Sequence, residues 1–176
     1  MSFIKSVTER EATGDTAKFY EEIRPVFGKV PNWFQAQGNR PDVMRAEAAL
    51  FEVAFADSAL PRKLKEQLGL VVAGINHSSY CVALHSEVLH SFQVPRSVAR
   101  TLAVDYPNAQ VVEKEMALYR FAEKLTRKPD SIEQSDADEL RLQGWNDAQI
   151  HETVLAVAMM NFANRVSAGL GLMVDF

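Results

Sequence analysis

The chain is poor in cysteine and in basic residues. Cys81 is its single cysteine among 176 residues, and 19 Lys and Arg stand against 23 Asp and Glu, for a formal net charge of −4. One cysteine excludes a disulfide within the chain and a zinc site built from cysteines alone, and it is typical of the reducing cytosol. Without a basic excess we expect no nucleic acid and no anionic membrane surface among the partners.

Long apolar segments are missing as well. The first residues are polar and lack the apolar core of a signal peptide. Near the other end, Asn161, Asn164 and Arg165 interrupt the apolar run, which makes a membrane span unfavourable. We therefore expect a cytoplasmic protein without a membrane partner, and we expect the three polar residues to face either a subunit interface, the mouth of a pocket or solvent.

Long alternation of apolar and polar residues, the pattern of a β-strand, is also absent. Hydrophobic residues make up 47% of the chain, enough for the core of one domain. Apolar residues at helical spacing, bounded by Pro and Gly, predict an all-α single domain of about eight helices. We divide the chain into a helical N-terminal lead-in, residues 1–28, and a main domain, residues 29–176.

A helical hairpin is predicted at the centre of the chain, from about residue 60 to residue 92. Apolar residues recur at helical spacing up to Ile75. Asn76-His77-Ser78 then ends the first helix and offers an N-cap for the second. The two helices would run antiparallel around a tight turn.

Four polar side chains of this hairpin form the candidate site. Ser78, Cys81 and His85 occur at i, i+3 and i+7, so they share one face of the second helix. Glu66 precedes the turn by about as many residues as His85 follows it, which would bring both to nearly the same height. The sequence therefore predicts a carboxyl, a hydroxyl, a thiol and an imidazole in one place.

Each of these groups suits proton transfer or nucleophilic chemistry. Cys81 falls in the first turn of its helix, where free N–H groups and the helix dipole favour the reactive thiolate. Apolar neighbours predict that Glu66 is partly buried, with a raised pKa that would allow it to act as a base. The imidazole of His85 could stabilise the thiolate or move its proton.

Structural interpretations stay open for the same residues. A lone cysteine is commonly inert packing, and Glu66 and His85 could be a surface carboxylate and a core histidine. Ser78 is explained equally well as an N-cap or as a relay hydroxyl between Glu66 and Cys81. His77, Cys81 and His85 with Glu66 could also hold a metal, but we expect neither a metal nor a cofactor.

The spacing Glu66-x11-Ser78-x2-Cys81-x3-His85 resembles the signature of the alkylhydroperoxidase AhpD-like superfamily, which includes carboxymuconolactone decarboxylases. The usual signature is Glu-x11-Cys-x2-Cys-x3-His, so Ser78 stands at the first cysteine position. Residues 161–171 also resemble the uncharacterised peroxidase-related branch of that superfamily. The resemblance covers most of the chain after Val30 and implies an AhpD-like helical fold.

The resemblance implies a thiol-dependent hydroperoxide reductase that serves antioxidant defence. Cys81 would be the peroxidatic thiol, Glu66 the base, and His85 the group that orients the relay and assists the leaving oxygen. In relatives with two cysteines the first one resolves the sulfenic acid as a disulfide. Because Ser78 cannot do so, an external thiol reductant or the thiol of a partner protein would be needed.

A homo-oligomer is a further expectation from the resemblance, with a trimer or a hexamer as the favoured assembly. Four large apolar residues support it if they lie on the surface of the single chain: Trp33, Phe34, Phe162 and Phe176.

Two other functions remain open. The first is a cysteine-independent enzyme of the carboxymuconolactone decarboxylase kind, in which Glu66 and His85 move protons on a small carbonyl substrate. The second is a non-catalytic redox-sensing or binding protein that keeps the scaffold.

Overall fold

A computed structural model describes residues 2–176, and this part of the chain is all-α, as predicted. None of its helices combines the length and the apolar character that crossing a bilayer requires. The nine α-helices of residues 2–176 are α1 (Gly14–Phe27), α2 (Asn32–Gln37), α3 (Pro41–Phe55), α4 (Arg62–Ile75), α5 (Ser79–Ser91), α6 (Arg96–Asp105), α7 (Glu113–Arg127), α8 (Gln134–Leu142) and α9 (Asp147–Gly169). Single 3-10 turns follow α6 and α7, at Tyr106–Asn108 and Pro129–Ser131.

The nine helices of residues 2–176 compare with about eight predicted from the sequence. Among them, α2 is a short helix of residues 32–37 directly after Pro31. Trp33, Phe34 and Ala36 of this helix are buried. Tertiary packing of these three side chains therefore stabilises a helix that is too short to be stable on its own.

Most helix ends follow the local signals. Pro41 is the first residue of α3, and Pro61 and Pro95 directly precede α4 and α6. Gly28 ends α1 in the left-handed region, with φ of 73°, a conformation that glycine adopts at no steric cost. The predicted turn between α4 and α5 is present, and its His77 has φ of 54°.

Helix α4 is the centre of the fold. It contacts α5, α6, α7 and α9, and every residue from position 64 to position 73 is buried. Three consecutive residues of that segment are polar, and each is paired with a different neighbouring helix. Lys65 Nζ lies 3.0 Å from Glu152 Oε2 of α9, Glu66 Oε2 lies 2.6 Å from His85 Nδ1 of α5, and Tyr119 Oη of α7 donates to Gln67 Oε1 at 3.3 Å. The pairing is required because a buried polar group without a partner is costly.

The predicted lead-in shares a core with the helices that follow it. Phe19 of α1 packs edge-to-face on Phe34 of α2, with ring centroids 5.2 Å apart. Tyr20 donates to the carbonyl oxygens of Val7 at 2.9 Å and Phe34 at 3.2 Å. The division of the chain at residue 28 stays a prediction.

Two of the four apolar residues that were expected to support an oligomer are buried within the single chain. Trp33 and Phe34 are each only 8% exposed and belong to the core of the single chain. Phe162 and Phe176 do reach the surface, with 40% and 37% of their area exposed. The homo-oligomer stays a prediction that rests on fewer apolar residues than the sequence suggested.

Helix α4 passes close to α6 at Gly74. A Cβ atom at this position would lie 1.9 Å from the carbonyl oxygen of Ala103. Because that oxygen belongs to the backbone, no side-chain rotation could relieve the overlap. The glycine therefore fixes how closely α6 packs against α4.

Replacing Gly74 with alanine should separate these two helices. We expect Gly74→Ala to lower the free energy of unfolding by about 3 kcal/mol, at the upper end of the usual cost of overpacking. The matched control is Gly169→Ala in α9, where an added Cβ meets no atom within 4 Å; this variant should unfold at or slightly above the wild-type urea concentration. Equal urea midpoints for the two variants would contradict the close approach.

Candidate active site

All four predicted site residues are buried between α4, α5 and α9. The exposed fractions are 3% for Glu66, 7% for Ser78, 2% for Cys81 and 7% for His85. The structure does not join them into one hydrogen-bonded chain, however. Glu66 and His85 form one group, and Ser78 and Cys81 form a second group with a residue of α9.

The first group is a buried carboxylate–imidazole pair. His85 Nδ1 and Glu66 Oε2 are 2.6 Å apart, so the antiparallel hairpin does bring these two residues to the same height. Arg62, one helical turn before Glu66, donates from Nε to Glu66 Oε1 at 3.2 Å. Phe55 of α3 lies beside the imidazole, with ring centroids 5.9 Å apart.

Gly69 of α4 lies beside the imidazole. A Cβ atom at Gly69 would lie 3.5 Å from His85 Cε1, an ordinary contact, and 3.2 Å from the Met160 side chain. Alanine at this position would therefore require only a small shift of the flexible Met160 side chain.

The predicted pKa of Glu66 was wrong in its direction. Burial does raise the pKa of this carboxyl, but the hydrogen bond and charge of His85, together with Arg62, outweigh burial and hold the pKa below its usual 4.5. Glu66 is therefore ionised at neutral pH. It orients the imidazole of His85 and is not itself a base with a pKa near neutrality.

The second group is centred on Ser167 of α9. The Ser167 Oγ atom lies 3.0 Å from Ser78 Oγ and 3.7 Å from Cys81 Sγ. Ser167 also donates to the carbonyl oxygen of Asn164 at 3.0 Å. A buried hydroxyl from a distant part of the chain thus contacts both residues of the Ser-x2-Cys motif.

Neither role considered for Ser78 matches its contacts. Ser78 occupies the N-cap position of α5, but its side chain makes no capping hydrogen bond. Its hydroxyl is bonded to Ser167 and not to Glu66, so within residues 2–176 no hydrogen bond supports a relay from Glu66 through Ser78.

Polar residues of α9 also hold the hairpin turn in place. Asn76 Nδ2 donates to Asn161 Oδ1 at 3.0 Å and to Asn164 Oδ1 at 2.8 Å. Asn161, Asn164 and Ser167 follow one another at i, i+3 and i+6, a spacing that places them along one side of α9. That spacing is the signal by which the sequence could have pointed to Ser167.

Access to the thiol is restricted in this conformation. One surface cavity is lined by residues around Tyr106 and Arg120, and another by residues around Glu9 and Arg24. Neither contains Glu66, Ser78, Cys81 or His85. Because only 2% of Cys81 is exposed, a substrate needs a local opening to reach its sulfur.

The described residues hold no group of three or more His, Cys, Asp or Glu side chains arranged to bind a metal. His77, which the sequence placed among the candidate ligands, lies exposed in the turn.

The ion pairing of Glu66 should make the stability of the protein depend on pH. A pKa that folding lowers stabilises the folded state above the unfolded value of 4.5, and the contribution is lost as the pH falls through the folded value. We expect Glu66→Gln to cost about 3 kcal/mol near neutral pH, because it removes one partner of a buried pair. The cost should shrink at about pH 3, measured by urea unfolding.

The control for this measurement is Glu21→Gln, a substitution at an exposed position of α1. It should change stability little at either pH. A cost of Glu66→Gln that stays constant from neutral to acidic pH would contradict an ionised Glu66.

Known proteins share both the fold and part of the sequence pattern. Residues 41–124 match the model of the carboxymuconolactone decarboxylase family. An AhpD-core, uncharacterised peroxidase-related protein from Ralstonia eutropha JMP134 is 24% identical with a TM-score of 0.91, covering 99% of this chain and 92% of that one. An uncharacterised peroxidase-related protein from Silicibacter sp. TM1040 is also 24% identical, with a TM-score of 0.88 and coverage of 97% and 92%.

The debrominase Bmp8 has the same fold at lower identity. Its complex with 2,3,4-tribromopyrrole is 19% identical to this chain, with a TM-score of 0.82 and coverage of 99% and 93%. No curated protein matches the sequence. The family match spans α3 to most of α7 and includes the whole Glu-Ser-Cys-His motif. The chain therefore has the fold of the AhpD-core proteins, and its residues 41–124 are similar to the carboxymuconolactone decarboxylase family.

Proposed function

We propose that this protein reduces small hydroperoxides in antioxidant defence, with Cys81 as the thiol that attacks the peroxide bond. The observation that carries the proposal is the burial of one thiol and one carboxylate–imidazole pair on a single hairpin, with Cys81 and His85 one turn apart on α5. The family supports the same class of activity, since two proteins of the same fold are named as peroxidase-related.

Cys81 lies at the N-terminal end of its helix. It is the third residue of α5, so it lies in the first turn, where backbone N–H groups are unpaired within the helix. The positive end of the helix dipole stabilises negative charge there. A thiolate, the nucleophilic form of cysteine, would carry such a charge.

The two groups of the site have different roles in the reaction: Cys81 attacks the peroxide, and the Glu66–His85 pair supplies a proton. The sulfur of Cys81 bonds to one oxygen of the hydroperoxide while the O–O bond breaks, giving a sulfenic acid and an alcohol. The sulfur is oxidised and the hydroperoxide is reduced. The thiol gives up one proton, and the leaving alkoxide takes up one proton. His85, held by Glu66, is the buried group suited to deliver the proton to the alkoxide.

Recovery of the thiol requires a second molecule. Ser78 cannot form a disulfide with Cys81, and the chain has no other cysteine. Two equivalents of an external thiol would return the sulfenic acid to the thiol, with release of water and formation of a disulfide between the reductant molecules. The expected partner is therefore a small thiol or a protein dithiol.

A second candidate is proton transfer on a small carbonyl substrate. The observation that favours it is the separation of the Glu66–His85 pair from the thiol, because the pair has its own hydrogen bond and Cys81 contacts Ser167 instead. A reaction of this kind would need Glu66 and His85 but not Cys81.

The two candidates differ in what a hydroperoxide does to the protein. With one equivalent of cumene hydroperoxide and a sulfenic-acid trap, the intact mass of the wild type should increase by one trap adduct. Cys81→Ser should show none. His85→Ala should slow adduct formation by roughly a hundredfold or more, as expected for loss of a positioned proton donor.

Absence of the adduct from the wild-type protein would contradict peroxide reduction by Cys81. Should Cys81→Ser also keep full activity on a carbonyl substrate that Glu66→Gln cannot turn over, the proton-transfer candidate would replace it.

A further inference from the structure

Ser167 has three hydrogen-bonding neighbours but only one hydrogen to donate. Its contact with the Asn164 carbonyl fixes the direction of that hydrogen, because a carbonyl oxygen can only accept. The two lone pairs of the Ser167 oxygen then accept from Ser78 Oγ–H and from Cys81 Sγ–H. In this arrangement the Cys81 thiol donates to the Ser167 oxygen.

When the thiol loses its proton, the sulfur changes from a hydrogen-bond donor to a hydrogen-bond acceptor. A thiolate accepts hydrogen bonds, and the Ser167 hydroxyl is the group in contact with it, at 3.7 Å. Rotation about the Cβ–Oγ bond would move the Ser167 hydrogen from the Asn164 carbonyl to the sulfur. That carbonyl would keep a partner, since within α9 it also accepts from the backbone N–H four residues later.

Ser78 strengthens this arrangement without contacting the sulfur. Its hydroxyl continues to donate to Ser167 Oγ in both states, and chains of hydrogen bonds polarise one another. A charge-assisted bond to the thiolate is about twice as strong as the neutral bond from the thiol. The net effect of Ser167 is therefore to favour the thiolate.

We propose that Ser167 is the positioning residue for Cys81, accepting from its thiol and donating to its thiolate, and so sets the pH at which Cys81 becomes nucleophilic. The inference rests on the proposed function only in taking Cys81 as the reactive group.

Other ionisable groups near the thiol are unchanged by substitution of Ser167. Tyr80 interacts with Cys81 directly, and Asp175 acts through Tyr80. The elements packed around the thiol also carry His85 of α5, Glu66 of α4 and Arg165 of α9, which is exposed and bonded to Asn161. Burial, chiefly, and the charge of Asp175 raise the pKa of Tyr80 well above its usual value, so it stays neutral in the relevant range. A difference between Ser167 variants thus reports the hydroxyl itself.

The test is the pH profile of Cys81 alkylation by iodoacetamide in the full chain. In Ser167→Ala, the pH midpoint should rise by about one unit and the alkylation rate at neutral pH should fall about tenfold, as loss of one charge-assisted bond predicts. Ser167→Thr keeps the hydroxyl and should return the midpoint to the wild-type value. Ser78→Ala should move it by less than half as much.

A purely structural role would give another pattern. Loosened packing would expose the buried thiol and speed alkylation at every pH without moving the midpoint, and that result would overturn the proposal. A shift with Ser78→Ala as large as that with Ser167→Ala would also overturn it, because Ser78 would then be the controlling group. The proposal would also be overturned if the pH midpoint of Ser167→Thr equalled that of Ser167→Ala.

The readout is independent of the peroxide reaction. Iodoacetamide reports the thiolate whether or not hydroperoxides are substrates, so the failure of one proposal is distinguishable from the failure of the other. Alanine is a better helix former than serine, so α9 should remain folded in Ser167→Ala.

Discussion

A carboxylate at the centre of a helical domain requires a buried partner, and the fold of this protein is arranged around that requirement. Helix α4 is covered on all sides, so Glu66 cannot be solvated by water. Its ionised form is kept by His85 from α5 and by Arg62 from the preceding turn. Removing either partner would leave a charge whose desolvation is no longer compensated.

The residues beside Glu66 are also polar and buried, so they require partners on neighbouring helices as well. Lys65 ties α4 to α9 through Glu152, whose carboxylate also accepts from the backbone N–H groups of Ala59 and Leu60 at 3.1 Å and 2.8 Å. Three adjacent polar residues therefore fix α4 against three different helices. The partners of these three residues are thus also contacts that hold the central helix in place.

Helix α9 completes the site from a distant part of the sequence. It brings Ser167 to the Ser78–Cys81 motif and two asparagines to the hairpin turn. The thiol and the carboxylate–imidazole pair thus belong to two separate groups, and within residues 2–176 no hydrogen bond connects them. In the proposed reaction the hydroperoxide itself would join the two, with one oxygen at the sulfur and the other at the imidazole.

The sequence was sufficient for features that depend on local spacing. Proline and glycine positions predicted most helix ends, and the rise of the α-helix predicted that Glu66 and His85 would meet. Ser167 was missed because it is 89 residues from Ser78, and local periodicity carries no information about that contact. The pKa of Glu66 was predicted in the wrong direction because burial is visible in the sequence, whereas the geometry of its partners is not.

The proposal implies that this site lacks only a second thiol to be self-resolving, and Ser78→Cys tests that claim most directly. Ser78 Oγ and Cys81 Sγ both contact the Ser167 oxygen, so the new thiol would lie close to the old one. Free thiols would be counted after one equivalent of hydroperoxide and again after a dithiol reductant. The account predicts that both thiols are lost together and then recovered. Two thiols that stay free after hydroperoxide would contradict it.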